Sequence, residues 1–240
     1  MKKLLGNLGI ALGLCLTSIP LNAATFFADD FEASGASGAT TLSAPWQMNK
    51  EVFNSSNAYL GGYYPGSTFG PNAVVAGGAG GSAFSGKVWP DYGYAPDWAP
   101  GNKINVSLLV NQTLTASDIA PGVIQMDFSY LRDANPGANA TAFAWMRLLA
   151  ADYSAVYWQD TFQLAVNGDW SRGSAKMTFD GTQAGLHLQY GFTVVDADYS
   201  GNAGLLVDNI TVSNVPEPSS AALMGLGVAG LLAFRLRRKL

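Results

Sequence analysis

The chain has 240 residues, of which 48% are apolar, 12% aromatic and 12% charged, with a formal net charge of −4. The charge is unevenly spread: residues 24–214 carry seven basic and sixteen acidic side chains, a net −9, and the other basic residues sit near the two ends. An acidic surface repels phosphate backbones and anionic lipid, which argues against nucleic acid and direct headgroup binding and leaves divalent cations and neutral glycans open.

At the N-terminus Lys2 and Lys3 precede an apolar stretch from Leu4 to Leu16, and Leu21-Asn22-Ala23 offers a small residue at a cleavage point. This is the pattern of a secretory signal peptide over residues 1–23, with the mature chain starting at Ala24. Cys15, the single cysteine, follows the bulky Leu14 where lipoprotein processing wants a small residue, so it leaves with the leader. The mature chain then reaches an oxidising compartment without a disulfide. Residues 24–214 are long enough for one domain with a sizeable core.

Within that span the palette of Gly, Ala, Ser, Asn and aromatics, poor in Lys and Glu, reads as short strands joined by turns. A first strand is expected at Thr25 to Phe31. From Glu51 to Asn105 glycines are dense, alternation is weak, and the stretch reads as irregular. Its aromatics, Tyr59, Tyr63, Tyr64, Trp89, Tyr92, Tyr94 and Trp98, either fill space beneath a long loop or stack on sugar rings. Trp89, Tyr92 and Trp98 are the candidates for a glycan site.

Strands become regular after Val106. Ile124, Met126, Phe128 and Tyr130 share one face and Gln125, Asp127 and Ser129 the other, a period of two. Ala175, Met177 and Phe179 repeat the pattern, as do Leu186, Leu188, Tyr190, Phe192 and Val194, and further strands are expected at Val106 to Val110, Phe143 to Leu149, Val156 to Ala165 and Leu205 to Val212. Turn chemistry at Asn135-Pro136-Gly137, Asn167-Gly168-Asp169, Asp180-Gly181 and Ser200-Gly201-Asn202 separates them. The spacing predicts an all-β, two-sheet antiparallel sandwich.

Catalytic signals are sparse. His187, the only histidine, lies on the polar face of its strand as a solvent-facing bystander, which leaves no second histidine for a metal site or triad. Paired acids such as Asp127 and Asp160 are the kind a glycosidase needs, but any acidic sandwich offers such pairs. In the last strand Leu206, Ile210 and Val212 are read as inward, and Asp208 on that face requires either hydrogen bonds or a cation.

After residue 214 the texture changes. Val215-Pro216-Glu217-Pro218-Ser219 precedes an apolar run from Ala221 to Phe234, and Arg235, Arg237, Arg238 and Lys239 close the chain. The run is shorter than the roughly 20 residues of a stable spanning helix, so it serves as a transient membrane plug rather than a permanent anchor. Residues 215–240 resemble the PEP-CTERM sorting signal of Gram-negative bacteria that make exopolysaccharide. The resemblance implies an exosortase that reads Val215, Pro216, Glu217 and Pro218, cleaves nearby and delivers the protein to the envelope, the matrix or the medium.

A second resemblance covers most of residues 25–213. Asp29-Asp30-Phe31-Glu32, Asp169-Trp170 and Val207-Asp208-Asn209-Ile210-Thr211-Val212 resemble the galactose-binding-like jelly rolls, carbohydrate-binding modules among them. It implies adjacent first and last strands and a structural calcium ion held by Asp30, Glu32 and Asp208. Together these readings give an exported, non-catalytic structural or glycan-binding protein of the envelope or exopolysaccharide matrix, flanked by a leader helix and a short C-terminal apolar helix. The alternative is a carboxylate-based glycan hydrolase or lyase on the same scaffold.

Overall fold

The computed structural model describes residues 24–34, 37, 42–43, 45–66, 73–89, 101–116, 118, 121–132, 140–197 and 204–215. The leader helix and the C-terminal apolar helix expected from sequence lie outside them. Among the described residues no helix is long and apolar enough to cross a membrane.

The strands are Ala24–Asp29 (β1), Gln47–Phe53 (β2), Tyr59–Gly66 (β3), Val74–Ala76 (β4), Phe84–Val88 (β5), Lys103–Thr113 (β6), Gly122–Arg132 (β7), Thr141–Leu149 (β8), Val156–Gln163 (β9), Ser171–Phe179 (β10), His187–Asp196 (β11) and Leu205–Val215 (β12). They form two six-stranded antiparallel sheets. The first runs β10-β7-β12-β5-β4 with β1 also on β12, and the second runs β3-β2-β6-β11-β8-β9. From β6 onward the chain keeps crossing between sheets, β7, β10 and β12 in the first and β6, β8, β9 and β11 in the second. This is a jelly-roll sandwich, as the alternating strands predict.

The period of two places the apolar rows where expected. Ile124, Met126 and Phe128 of the first sheet face Leu188, Tyr190 and Phe192 of the second, all essentially buried. Phe128 meets Phe192 edge-on with ring centroids 5.1 Å apart. At one end of the core Trp46 stacks on Phe31 at 5.7 Å and meets Phe27 edge-on at 5.4 Å. Asp29 holds this corner, accepting the Trp46 indole N–H at 2.6 Å and the Phe31 amide at 2.7 Å.

Two differences from the sequence reading matter. The glycine-rich stretch from Glu51 to Asn105 is less irregular than expected, since it contains β3, β4 and β5. Two of these, β3 and β4, are sheet edges, where a strand needs little apolar alternation to be held. The second difference lies in β12, whose inward residues before the turn of phase are Leu205 and Val207, not Leu206. The register against β7 shifts between Asp208 and Thr211, and Asn209 there has φ of +49°. That bulge restores Ile210 and Val212 to the core and leaves Asp208 opposite Ser129, on the outer side of the first sheet.

Beyond the bulge β1 pairs with β12, as the jelly-roll resemblance implies. Ala24 stands opposite Asn214 and Asp29 opposite Ile210.

Candidate functional site

The outer face of the second sheet departs from a simple solvated surface. Across it the registers build three rows. Asn49, Ser107, Thr193 and Phe143 form one, Leu109, Gly191, Trp145 and Thr161 the next, and Asn111, Gln189, Arg147 and Gln159 the third. Gly191 lets the neighbouring strand approach closely, since a Cβ there would run into the Leu108 carbonyl and Leu109, and over this face lies a trough of about 230 Å³ bordered by Leu109, Trp145 and Thr161. Glu51, Asn105 and Gln159 also line it.

The floor is fixed by its own bonds. Trp145 donates its indole N–H to Thr193 Oγ1 at 2.8 Å, and Thr193 shares a 2.7 Å hydrogen bond with Ser107 Oγ. Arg147 donates Nε to Gln189 Oε1 at 2.6 Å, and its guanidinium carbon lies 4.7 Å over the Trp145 ring. A guanidinium stacked and bonded in this way is pre-oriented, so little rotamer freedom remains to be lost on binding. Burial pushes its pKa below the ordinary value, while the Glu51 carboxylate draws it back up. Asn105 Oδ1 is buried in the trough without a hydrogen-bond partner among the described residues.

None of these residues was a candidate from sequence. The available signal was in β8, where Phe143, Trp145 and Arg147 alternate with the core residues Ala144, Met146 and Leu148. Two aromatics and an arginine on the face that ought to be wet are what a binding surface looks like in one strand.

The residues that were candidates are placed as follows. Trp89 follows β5 and is half-buried, with the Lys87 ammonium 4.3 Å over its ring. A Cβ on Gly204 would come within 1.8 Å of a Trp89 ring carbon, so the indole is seated against bare backbone. Its ring borders a cavity of about 560 Å³ with Val75, Leu131 and Leu206 on the outer side of the first sheet. A ring covered by a cation and packed on backbone is a poor platform for a sugar. Tyr92 and Trp98 lie outside the described residues, as do Pro216, Glu217 and Pro218.

Glu32 and Asp208 converge on one segment, the turn from Gly77 to Phe84, while Asp30 bonds within its own turn. Asp208 is fully buried. Its Oδ2 accepts the Ala79 amide at 2.7 Å and its Oδ1 the Asn209 amide at 2.7 Å. Glu32 Oε1 accepts the amides of Ala83 at 2.6 Å and Phe84 at 3.1 Å, and Asp30 Oδ1 accepts the Glu32 amide at 3.2 Å. A Cβ on Gly78 would fall within 2.4 Å of Asp208 Oδ2, so the turn sits directly on the carboxylate. Calcium needs six to eight oxygens whose lone pairs point at it. Here both Asp208 oxygens accept N–H donors, as does one oxygen each of Glu32 and Asp30, and among the described residues no three Asp, Glu, His or Cys side chains gather as a metal site. The hydrogen bonds that a buried Asp208 requires are present.

Val215, the last described residue, ends β12 with its side chain exposed. The sequence that begins there decides the destination of the chain. Residues 214–239 are a PEP-CTERM protein-sorting motif. The motif marks a secreted protein handled by exosortase at the cell envelope, and it starts on the last two residues of β12 with no intervening linker. No curated protein matches the chain. Among solved structures, the CBM22-1 xylan-binding domain from Paenibacillus barcinonensis is 9% identical with a TM-score of 0.42, over 82% of this chain and 99% of that one. The TmCBM61 module, solved with β-1,4-galactotriose, is 12% identical with a TM-score of 0.38, over 78% and 94%. A bacteriophage CBA120 tailspike protein 4 domain is 14% identical with a TM-score of 0.43, and the chain spans 72% of its own length but 20% of the tailspike.

Proposed function

We propose that the protein is a non-catalytic glycan binder, exported from a Gram-negative bacterium by exosortase sorting and working in its exopolysaccharide matrix, with the trough over Trp145 and Arg147 as its binding site. One observation carries the reading. A pre-oriented arginine and a tryptophan fixed by its indole hydrogen bond share a depression lined by polar side chains on the outer face of the second sheet. Such a surface suits a neutral polyol, which offers hydroxyl donors and acceptors together and brings no charge into an acidic protein.

Hydrolysis is less well supported by the same residues. Glycosidases work with two carboxyl groups flanking one bond, whereas the trough is lined by a single acid, Glu51. Asp127 is held by Gln125 Nε2 on the outer side of the first sheet, and Asp160 bonds its own strand and the Lys176 amide.

Affinity gels cast with a panel of neutral and acidic polysaccharides, including that of the producing cell, test the proposal. Retardation by at least one neutral polysaccharide without release of reducing ends is the expected result. A protein that migrates unretarded through every gel, or that degrades the one retarding it, overturns the reading.

The clasp around Asp208 is proposed to hold without an ion. EDTA is then expected to leave the melting temperature unchanged, whereas a fall reversed by calcium chloride would refute the proposal.

A further inference from the structure

Beyond the trough, along the direction of β11, the same sheet face carries a second aromatic surface. His187 lies four residues before Gly191, the residue opposite Trp145, which sets it roughly 13 Å from the trough floor. Tyr153, in the turn between β8 and β9, stacks flat on the His187 ring, with centroids 4.2 Å apart and planes 11° from parallel. The pair is held from three sides. Asn111 Nδ2 donates to the Tyr153 hydroxyl at 2.6 Å, while the His187 ring nitrogens bond Thr113 Oγ1 and the Ala151 carbonyl, each at 3.1 Å.

Three features set Tyr153 apart from a ring that fills space. It is 51% exposed although pinned by a hydrogen bond and a stack. Its backbone has φ of +61°, a left-handed conformation that asparagine or glycine adopts more readily than tyrosine. The turn holds that conformation through Tyr153 N to the Ala150 carbonyl and Ala150 N to the Ala155 carbonyl, both at 2.9 Å. An aromatic ring held rigid and open at a strained position suggests a use for the ring itself. In addition, Asn111 Oδ1 is buried without a partner among the described residues, as Asn105 Oδ1 is in the trough.

We propose that the Tyr153–His187 pair is a second subsite of the glycan surface, so that the protein binds along an extended polysaccharide chain rather than a single sugar or a chain end. The inference rests on the glycan reading of the trough. The chain would lie along β11, with one sugar over Trp145 and Arg147 and another, further along, stacked on the open face of Tyr153. Arg147 and Gln189 form the cross-strand row between the two, next to Asn111, so the polar surface is continuous.

Tyr153→Asn separates binding from folding, because asparagine tolerates the left-handed backbone and removes the ring. The exported protein and this variant are titrated calorimetrically with size-fractionated fragments of whichever neutral polysaccharide retards the wild type most. Wild-type affinity should rise steeply once fragments are long enough to reach both subsites. The variant should lose about tenfold for those long fragments and less than about twofold for disaccharides, with an unchanged or higher melting temperature. Equal affinities of the two proteins for long fragments overturn the second subsite while leaving the trough intact. A fall in melting temperature with no change in length dependence gives Tyr153 a structural role only and overturns it as well. Failure of the wild type to bind any fragment overturns the reading of the trough and this inference with it.

Discussion

Arg147→Ala is expected to weaken binding of the retained polysaccharide by roughly tenfold to a hundredfold, the loss typical of an arginine at the centre of a desolvated patch. The residue is bonded to Gln189, stacked over Trp145 and partly neutralised by Glu51, so its removal takes away both the donors and the order of the floor. Arg147→Lys sharpens the test. A lysine keeps the charge but lacks the planar fork, and at a stacked site the exchange is not conservative. If the fork matters, the lysine variant binds nearly as poorly as the alanine variant. If charge alone matters, lysine restores most of the affinity, and the pre-oriented guanidinium loses its place in the proposal. Circular dichroism melts of all three proteins separate lost binding from lost stability, since both substitutions take the Arg147 donor from the buried Gln189 side chain.

The second large effect concerns stability. Asp208→Ala leaves the Ala79 and Asn209 amides without their acceptors in a buried setting, and a cost of about 2–4 kcal/mol is expected from urea unfolding. The cost should depend on pH in a direction opposite to that of most paired carboxylates. Burial raises the Asp208 pKa above 3.8, and the Asp30 charge adds to the rise, against the amide hydrogen bonds that oppose it. The folded state therefore takes up a proton more readily than the unfolded chain. Such a group contributes stability that is fully present below the unfolded pKa and lost as pH rises through the folded pKa. Asp208→Ala should thus cost more at pH 3.5 than at pH 7. An equal cost at both values would mean that the carboxylate is as easily ionised inside the protein as outside it.

What the sequence revealed follows from where its information is local. In β7 and β10 the burial alternates between the two faces, and in β11 the apolar residue types do, so a period of two appears within a single strand, and both the strands and their inward residues could be read from it. The edge strands β3 and β4 lack that contrast. The phase of β12 was misread because a bulge breaks the period, and Asn209, a residue type tolerant of positive φ, was the only local hint. The trough was hidden for another reason. Asn49, Asn105, Trp145, Arg147 and Thr193 come from four different strands, and each alone resembles an ordinary outward residue. Only the register between strands makes them neighbours, and register is a long-range property. The sorting motif is the reverse case, a continuous segment read without any fold at all.

The pairing of Ala24 with Asn214 has a mechanical consequence. The segment before Ala24 and the motif after Asn214 begin side by side, at one pole of the first sheet. A pull between these two points does not stretch the domain end to end. It opens the β1–β12 ladder from its terminal bond inward, one bond at a time, and the load path never enters the second sheet.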